Sequence, residues 1–285
     1  MQHVPSFGER LDATFARYGQ LCVGIDPHAF LLSEWGLADT AAGVRDFGLR
    51  VVEAASGEVG IVKPQVAFFE RHGSAGYAAL EDVLAAARAA DLLVIADAKR
   101  GDVGSTVAAY GESWLTPGST LEADAMTISA YQGVGSLAEP IALAAAGGKG
   151  LFVLAATSNP ESVATQTARR KGGQYSGLTV AAGIVAEVDD INAATPGLGH
   201  VGVVIGATVD SSDYGINADR LICTPILAPG FGAQGAVLAD VPELYGDASA
   251  NVLVSVSRSV LGAGPSEIAA ELRRQSSELR AVMAS

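Results

Sequence analysis

Cysteine and histidine are scarce in this sequence of 285 residues, and their scarcity excludes several classes of protein. The two cysteines, Cys22 and Cys223, lie in apolar runs, which predicts buried thiols rather than a disulfide framework or a metal pair. The four histidines are far apart and lack the spacing of metal ligands: His3, His28, His72 and His200. We therefore expect no metal and no cofactor.

Basic residues are also in the minority, since the net charge is -13. This balance argues against nucleic acid or an acidic membrane surface as the main partner. No uncharged apolar run approaches the length of a membrane span, and the first residues lack the basic-then-apolar layout of a signal peptide. We expect a cytoplasmic protein, in which any anionic substrate would have to be held by local cations.

Apolar residues, by contrast, make up 49% of the chain and charged residues only 17%, so the core can be large. Eight short apolar runs rich in Val, Ile and Leu recur without alternation, as is typical of parallel strands buried on both faces. They are residues 21–26, 59–64, 92–97, 124–129, 150–155, 201–206, 221–227 and 251–256.

Ala-rich stretches with helical spacing separate most of these runs, which predicts a (β/α)8 TIM barrel. No linker rich in Pro or Ser divides the chain, so we expect one catalytic domain over residues 1–285. A doubly wound open sheet is the structural alternative. It is disfavoured because the first run ends in Gly24-Ile25-Asp26-Pro27-His28, without the glycine-rich turn of that fold.

One connection is long and polar, and it covers residues 158–177 between the fifth and sixth runs. Such a segment is typical of a mobile loop, and a lid over the site is one interpretation. Its Arg169-Arg170-Lys171 cluster could touch an anion, although a solvated face is the favoured interpretation.

The third run ends in Asp97-Ala98-Lys99-Arg100-Gly101-Asp102. Side chains alternate faces along a strand, so Asp97 and Lys99 are expected to point the same way, with Asp102 in the following loop. In a barrel the carboxyl ends of the strands line the active site. Those ends and the nearby loops also supply Asp26, Lys63, Thr106 and Ser158. Charges at the ends of apolar strands are costly unless paired, so this set favours chemistry over a structural ion pair.

An anion site is predicted near the end of the chain. Residues 229–235 read PGFGAQG after the seventh run, and their glycines allow backbone N–H groups to approach a ligand. Arg258 ends the eighth run, and its planar guanidinium suits phosphate. Loops after strands seven and eight commonly bind phosphate in these barrels. We therefore expect a phosphorylated small molecule whose reacting end faces the Lys/Asp cluster.

Together, DAKRGDVGST (97–106), VKPQ (62–65), APGFGAQG (228–235) and SRS (257–259) closely resemble the orotidine 5′-phosphate decarboxylase family, in particular its longer subfamily called type 2. The resemblance covers the whole chain. It implies conversion of orotidine 5′-phosphate to UMP and CO2 in pyrimidine synthesis, without metal or cofactor.

The resemblance also implies a role for each catalytic residue. Lys99 would protonate C6 of the pyrimidine as CO2 leaves, and Asp97 would lie beside the substrate carboxylate. Lys63, Asp97 and Lys99 would form an array of alternating charge that Asp102 completes. Asp102 and Thr106 would act across the interface of a homodimer, in the neighbouring site.

Further residues would bind the rest of the substrate. Asp26 would hold a ribose hydroxyl and Ser158 the pyrimidine amide. Gly230, Gln234 and Arg258 would bind the phosphate.

Three alternatives stay open. A Mg²⁺-dependent sugar-phosphate decarboxylase or hexulose-phosphate synthase would share the Asp-x-Lys-x-x-Asp pattern. Those enzymes, however, have an acidic residue that helps bind Mg²⁺ at the end of the second strand, where this chain has Lys63. A Schiff-base aldolase needs a lysine of depressed pKa, whereas flanking aspartates raise a lysine pKa. A phosphate-binding barrel without activity would leave the charged residues unused.

Overall fold

The computed structural model describes residues 4–217 and 220–284, which contain eight short β-strands. Most of them follow the apolar runs closely. The strands are β1 (Leu21–Ile25), β2 (Ile61–Pro64), β3 (Leu93–Arg100), β4 (Ala125–Ile128), β5 (Gly150–Ala156), β6 (Val201–Ile205), β7 (Ile226–Pro229) and β8 (Val252–Val256).

The strands close into a parallel barrel in chain order, with β8 pairing back onto β1. Gly24 on β1 lies opposite Lys63 on β2, and Val23 lies opposite Val256 on β8. Because every strand is parallel, all the carboxyl ends meet at one rim. The predicted (β/α)8 barrel is confirmed.

Helices occupy most of the connections, and polar caps begin several of them. They are α1 (Phe7–Tyr18), α2 (Ala29–Glu34), α3 (Ala41–Ala55), α4 (Val66–Glu70), α5 (Gly73–Ala89), α6 (Gly104–Leu115), α7 (Ala138–Gly147), α8 (Ser162–Gln166), α9 (Val180–Asn192), α10 (Val241–Tyr245), α11 (Arg258–Leu261) and α12 (Ile268–Met283). Ser6 caps α1 in a reciprocal capping box with Glu9, and Thr179 caps α9 through its hydroxyl.

Helix α1 covers the amino end of the barrel and packs against its interior. Phe7 and Leu11 of α1 are fully buried, and the ring of Phe7 meets that of Phe152 edge to face at 6.0 Å. Gly150 allows this approach, because a Cβ there would lie 2.4 Å from the Phe7 ring. The amino end is thereby filled, and the carboxyl rim carries the cleft.

The seventh apolar run differs from its prediction as a strand over residues 221–227. β7 begins only at Ile226, because the backbone carbonyls of Leu221 and Ile222 accept hydrogen bonds from the Asn251 side chain instead of a neighbouring strand. As a result Cys223 is outside a strand and half-buried, so its predicted burial is wrong, whereas Cys22 is buried in β1 as predicted.

Two further expectations from the sequence concern membrane spans and the long connection at residues 158–177. Of the helices in the described part of the chain, none is long and apolar enough to cross a bilayer. The segment 158–177, predicted as a loop, holds the short helix α8, and Arg169 pairs with Thr179 in an isolated antiparallel bridge.

Candidate active site

A cleft of about 480 Å³ opens at the carboxyl rim of the barrel. Eight of the ten residues predicted from the sequence line it: Asp26, Lys63, Asp97, Lys99, Ser158, Gly230, Gln234 and Arg258. These residues lie at the ends of six strands (β1, β2, β3, β5, β7 and β8) or in the segments that follow them, so only closure of the barrel brings them together.

The base of the cleft holds an ion pair between neighbouring strands. Lys63 Nζ on β2 lies 2.8 Å from Oδ2 of Asp97 on β3, and both side chains are buried. Burial opposes the charge on Lys63, but the carboxylates of Asp97 and Asp26 outweigh it and raise the pKa of Lys63. Lys63 is therefore a permanent cation at neutral pH.

Asp97 holds a second ammonium on its other oxygen. Lys99 Nζ lies 2.5 Å from Oδ1 of Asp97. Burial would raise the pKa of Asp97, but Lys63 and Lys99 outweigh this effect and hold the pKa well below its usual range. The carboxylate therefore stays ionised between two cations, as the resemblance implied for an array of alternating charge.

The geometry that joins Asp97 to Lys99 is not simple strand alternation. The register of β3 against β4 shifts between Ala96 and Arg100, and Lys99 has a positive φ of 48°. The expected common direction of the two side chains is found, but a β-bulge produces it. Bulges are common next to active sites because they re-aim side chains.

Two neutral residues complete the hydrogen bonding of Asp97. Gln65 Nε2 donates to Oδ2 at 2.9 Å, and the Thr127 hydroxyl donates to Oδ1 at 2.8 Å. Neither residue was assigned a role from the sequence. Gln65 belongs to the VKPQ motif, so its signal was present, whereas Thr127 lies in an ordinary apolar run and had none.

Asp26 directly follows β1 beside the ion pair, and its Oδ1 is buried without a hydrogen-bond partner among the described residues. The Oγ of Ser257, which also lines the cleft, is likewise buried without a hydrogen-bond partner among the described residues. Buried polar atoms are costly unless they are hydrogen-bonded. These two atoms are therefore suited to meet hydroxyl groups of a ligand.

The opposite end of the cleft is suited to an anion. Gly230 has a φ of 123° in the turn after β7, a conformation that favours glycine. Gln234 follows in the same loop, and its Oε1 lies 3.5 Å from the hydroxyl of Ser158. Arg258 begins α11 with an exposed side chain. Gly230, Gln234 and Arg258 thus line one cleft, and their binding of an anion stays a prediction.

An aromatic wall that sequence analysis missed borders the cleft. The ring of His28 packs against Phe68 at 4.4 Å and against Phe30 at 5.3 Å. Burial lowers the pKa of His28, since it outweighs the opposing effect of Asp26. His28 therefore presents a neutral ring, and its isolation in the sequence offered no signal of this role.

Asp102 and Thr106 lie outside this cleft. Asp102 is half-exposed and accepts a hydrogen bond from the backbone N–H of Val103 at 2.8 Å, while Thr106 is exposed on the first turn of α6. The chain thus does not bring these two residues to its own Lys/Asp array.

The basic cluster of the long connection is also away from the cleft. Arg170 pairs with Glu187 at 2.6 Å, and Arg169 donates to the backbone carbonyl of Gly177. Lys171 is exposed. Arg169 is also exposed, so two residues of the cluster fit the favoured interpretation of a solvated face, whereas Arg170 is half-buried.

Within residues 4–217 and 220–284, no three His, Cys, Asp or Glu side chains are placed to hold a metal ion. Of the four histidines that were predicted not to bind a metal, His3 lies outside the described residues. Burial raises the pKa of Cys22 to about 12, so this thiol is unsuited to nucleophilic chemistry.

Comparison with known proteins agrees with this geometry. The model of the orotidine 5′-phosphate decarboxylase / HUMPS family matches residues 19–272. A Streptomyces coelicolor protein named orotidine 5′-phosphate decarboxylase is 52% identical over 262 residues, which are 91% of each chain. One of the same name from Salinispora arenicola is 50% identical over 260 residues, again 91% of each.

A solved structure is similar over the whole length. The crystal structure from Streptomyces avermitilis, provisionally assigned as an orotidine 5′-phosphate decarboxylase, superposes with a TM-score of 0.93 at 48% identity, covering 100% of this chain and 98% of that one. The fold, the array and the relatives identify a carboxy-lyase. The chain belongs to the orotidine 5′-phosphate decarboxylase / HUMPS family.

Proposed function

We propose that this enzyme converts orotidine 5′-phosphate to UMP and CO2 without a metal or cofactor, and that it belongs to the type 2 subfamily. The observation that carries the proposal is the pair of ammonium groups on one buried carboxylate, Lys63 at 2.8 Å and Lys99 at 2.5 Å from Asp97. Relatives that are about 50% identical in sequence are named orotidine 5′-phosphate decarboxylase, which supports the proposed reaction.

Lys99 is the proton donor in the proposed reaction. The bond between C6 and the carboxylate breaks, CO2 leaves, and the electron pair stays on C6. A proton of the Lys99 ammonium is then transferred to C6, and the neutral amine regains a proton from water. A fixed cation stabilises the developing carbanion without reorganisation, which is the largest effect available here. Proton transfer adds to it.

Asp97 holds the Lys99 ammonium in place, and it lies beside the substrate carboxylate. At about 5 Å and an effective dielectric constant of about 20, two such anions repel by about 3 kcal/mol. The largest enzymatic barrier reductions are well above 20 kcal/mol, so repulsion alone cannot account for the reaction. The array therefore acts mainly through the cations that Asp97 positions.

The other end of the substrate supplies orientation. The phosphate binds Arg258, Gln234 and the backbone at Gly230, the ribose hydroxyls meet Asp26, and Ser158 contacts the pyrimidine amide. The buried, unpartnered Oδ1 of Asp26 supports the ribose role. Because the phosphate is remote from C6, its binding energy can serve to align C6 with Lys99.

The functional unit in this proposal is a homodimer in which Asp102 and Thr106 reach the partner's site. Their position outside the chain's own cleft supports this arrangement. Val103 and Tyr131, 52% and 87% exposed, lie in the adjacent loops after β3 and β4 and supply apolar surface there. The free cysteines of the described chain suit a cytoplasmic enzyme.

The test is an ultraviolet assay on orotidine 5′-phosphate with EDTA present. The absorbance should change to that of UMP at an undiminished rate. Loss of activity with EDTA would favour the Mg²⁺-dependent alternative, because a metal would then be required. Binding without spectral change would indicate a phosphate-binding barrel, and borohydride trapping of substrate on Lys99 an aldolase.

A further inference from the structure

The bulge in β3 faces a single residue of β4. Ala96 pairs with Met126 and Arg100 pairs with Ile128, so residues 97–99 lie opposite Thr127 alone. The extra residues of a bulge lose their regular ladder hydrogen bonds. Some other group must therefore satisfy the backbone at this point.

The hydroxyl of Thr127 meets this need and does more. Its Oγ1 accepts a hydrogen bond from the backbone N–H of Lys99 at 3.0 Å and donates one to Oδ1 of Asp97 at 2.8 Å. The same Oδ1 is the atom that holds Lys99 Nζ. Thr127 is 1% exposed, so water does not replace these contacts. One buried hydroxyl thus joins the backbone of Lys99 to its counter-ion.

Lys99 needs such support because its φ of 48° lies in the left-handed region. Residues with a Cβ persist there only where their surroundings hold them, and such residues cluster at active sites. The side chain of Lys99 is 47% exposed, so packing alone does not fix it. The hydrogen bond from its backbone N–H to Thr127 is therefore a main restraint on the position from which the Lys99 side chain extends.

We propose that Thr127 is a positioning residue for the reaction, holding the strained backbone of Lys99 and the Asp97 carboxylate in register so that the ammonium meets C6. This inference rests on the proposed function. It goes beyond it by assigning a role to a residue of β4 that carries no charge and lies outside the recognised motifs.

The experiment compares Thr127→Val, which keeps the shape and removes the hydroxyl, with Thr127→Ser, which keeps the hydroxyl. Because a misplacement of about 1 Å can cost about 100-fold in rate, kcat of Thr127→Val should fall by about that factor. Its KM and its dissociation constant for UMP should change little, since the phosphate and ribose contacts remain. Thr127→Ser should restore most of kcat.

Thr224→Val is the matched control, since Thr224 is a fully buried threonine away from the cleft whose hydroxyl accepts from Asn192 at 3.1 Å. It should lower the melting temperature without lowering kcat. Thr127→Ala serves as the second variant if Thr127→Val does not fold. A wild-type kcat in either folded variant overturns the inference, as does a Thr127→Ser enzyme as slow as Thr127→Val. Failure of the proposed function is distinguishable, because the wild-type enzyme would then leave orotidine 5′-phosphate unchanged.

Discussion

The Lys99 ammonium lies 2.5 Å from the Asp97 carboxylate, yet the two side chains stand in different surroundings, 47% and 8% exposed respectively. The anion is fixed by buried neighbours, whereas the cation projects into the cleft and can exchange its proton with water. A proton donor must meet both conditions, because it has to be held in place and recharged after each turnover.

Replacing Lys99 with Ala should abolish turnover while leaving the fold intact, because the side chain is half in solvent. Loss of both the proton donor and the fixed cation is expected to lower kcat by at least about 10⁴-fold. The ultraviolet assay measures kcat, and circular dichroism with a thermal melt measures folding.

Lys99→Arg is the companion variant, since a guanidinium keeps the charge but does not give up its proton. It should bind UMP and remain inactive. Appreciable decarboxylation by Lys99→Ala would refute the assigned role.

Removing the guanidinium of Arg258 should chiefly weaken the binding of phosphorylated ligands. A hydrogen bond to a charged group contributes about 1.5–3 kcal/mol, which corresponds to a loss in affinity for UMP of about 10- to 100-fold in Arg258→Ala. Binding of uridine, which lacks the phosphate, should be unchanged. Calorimetric titration with both ligands makes the comparison.

Arg50→Ala is the control for this change, because Arg50 is exposed on α3 away from the cleft. It should bind UMP as the wild type does. Equal losses for UMP and uridine in Arg258→Ala would show that Arg258 does not bind the phosphate.

The Lys63–Asp97 pair should make stability depend on pH in two opposite ways. The pKa of Asp97 is lowered on folding, because the two lysines outweigh burial. The contribution of this carboxylate to the free energy of unfolding is therefore complete above its ordinary pKa of about 3.9, and it is lost as pH falls through the folded pKa. The pKa of Lys63 is raised, because Asp97 and Asp26 outweigh burial. Its contribution is complete below about pH 10.4 and is lost as pH rises through the folded pKa.

Asp97→Asn tests the acid side of this dependence. It should lower the free energy of unfolding by about 3–5 kcal/mol near pH 7, since it leaves Lys63 buried without its partner. The difference in the free energy of unfolding between wild type and Asp97→Asn should become smaller below about pH 4. Urea denaturation at several pH values measures it, with Asp46→Asn, an exposed position, as the control. A difference that stays constant down to pH 3 contradicts the assignment.

Mixing two inactive variants tests whether Asp102 serves the partner's site. Lys99→Ala and Asp102→Ala should each be inactive alone. In a mixed dimer one site receives Lys99 from one chain and Asp102 from the other, so about a quarter of all sites become intact after random exchange. Recovery of activity on mixing is the expected result.

The control mixture pairs Lys99→Ala with the double variant that carries both changes, in which no site is intact. It should stay inactive. Mixed dimers detected by differential tags but lacking activity in the first mixture would place Asp102 in its own chain's site.

Patterns local to the sequence were enough to predict the barrel and eight of the residues that line the cleft. Runs of Val, Ile and Leu report strands buried on both faces, and charges such as Lys63 and Asp97 stand out where such runs end. The anion end at Gly230 and Arg258 was also visible, because glycines and a cation after the last strands have a local signature. These features depend on neighbours close in the chain, which pattern analysis can detect.

How these groups meet depends on contacts between residues far apart in the chain. Thr127 contacts Asp97 across 30 positions of the chain, and its partnership with Lys99 depends on a bulge that no periodicity encodes. The same closure left Asp102 and Thr106 outside the cleft and brought Asp26 close to Lys63. Hydrogen bonds between distant residues are set by strand register and barrel closure, and these are properties of the whole packed core.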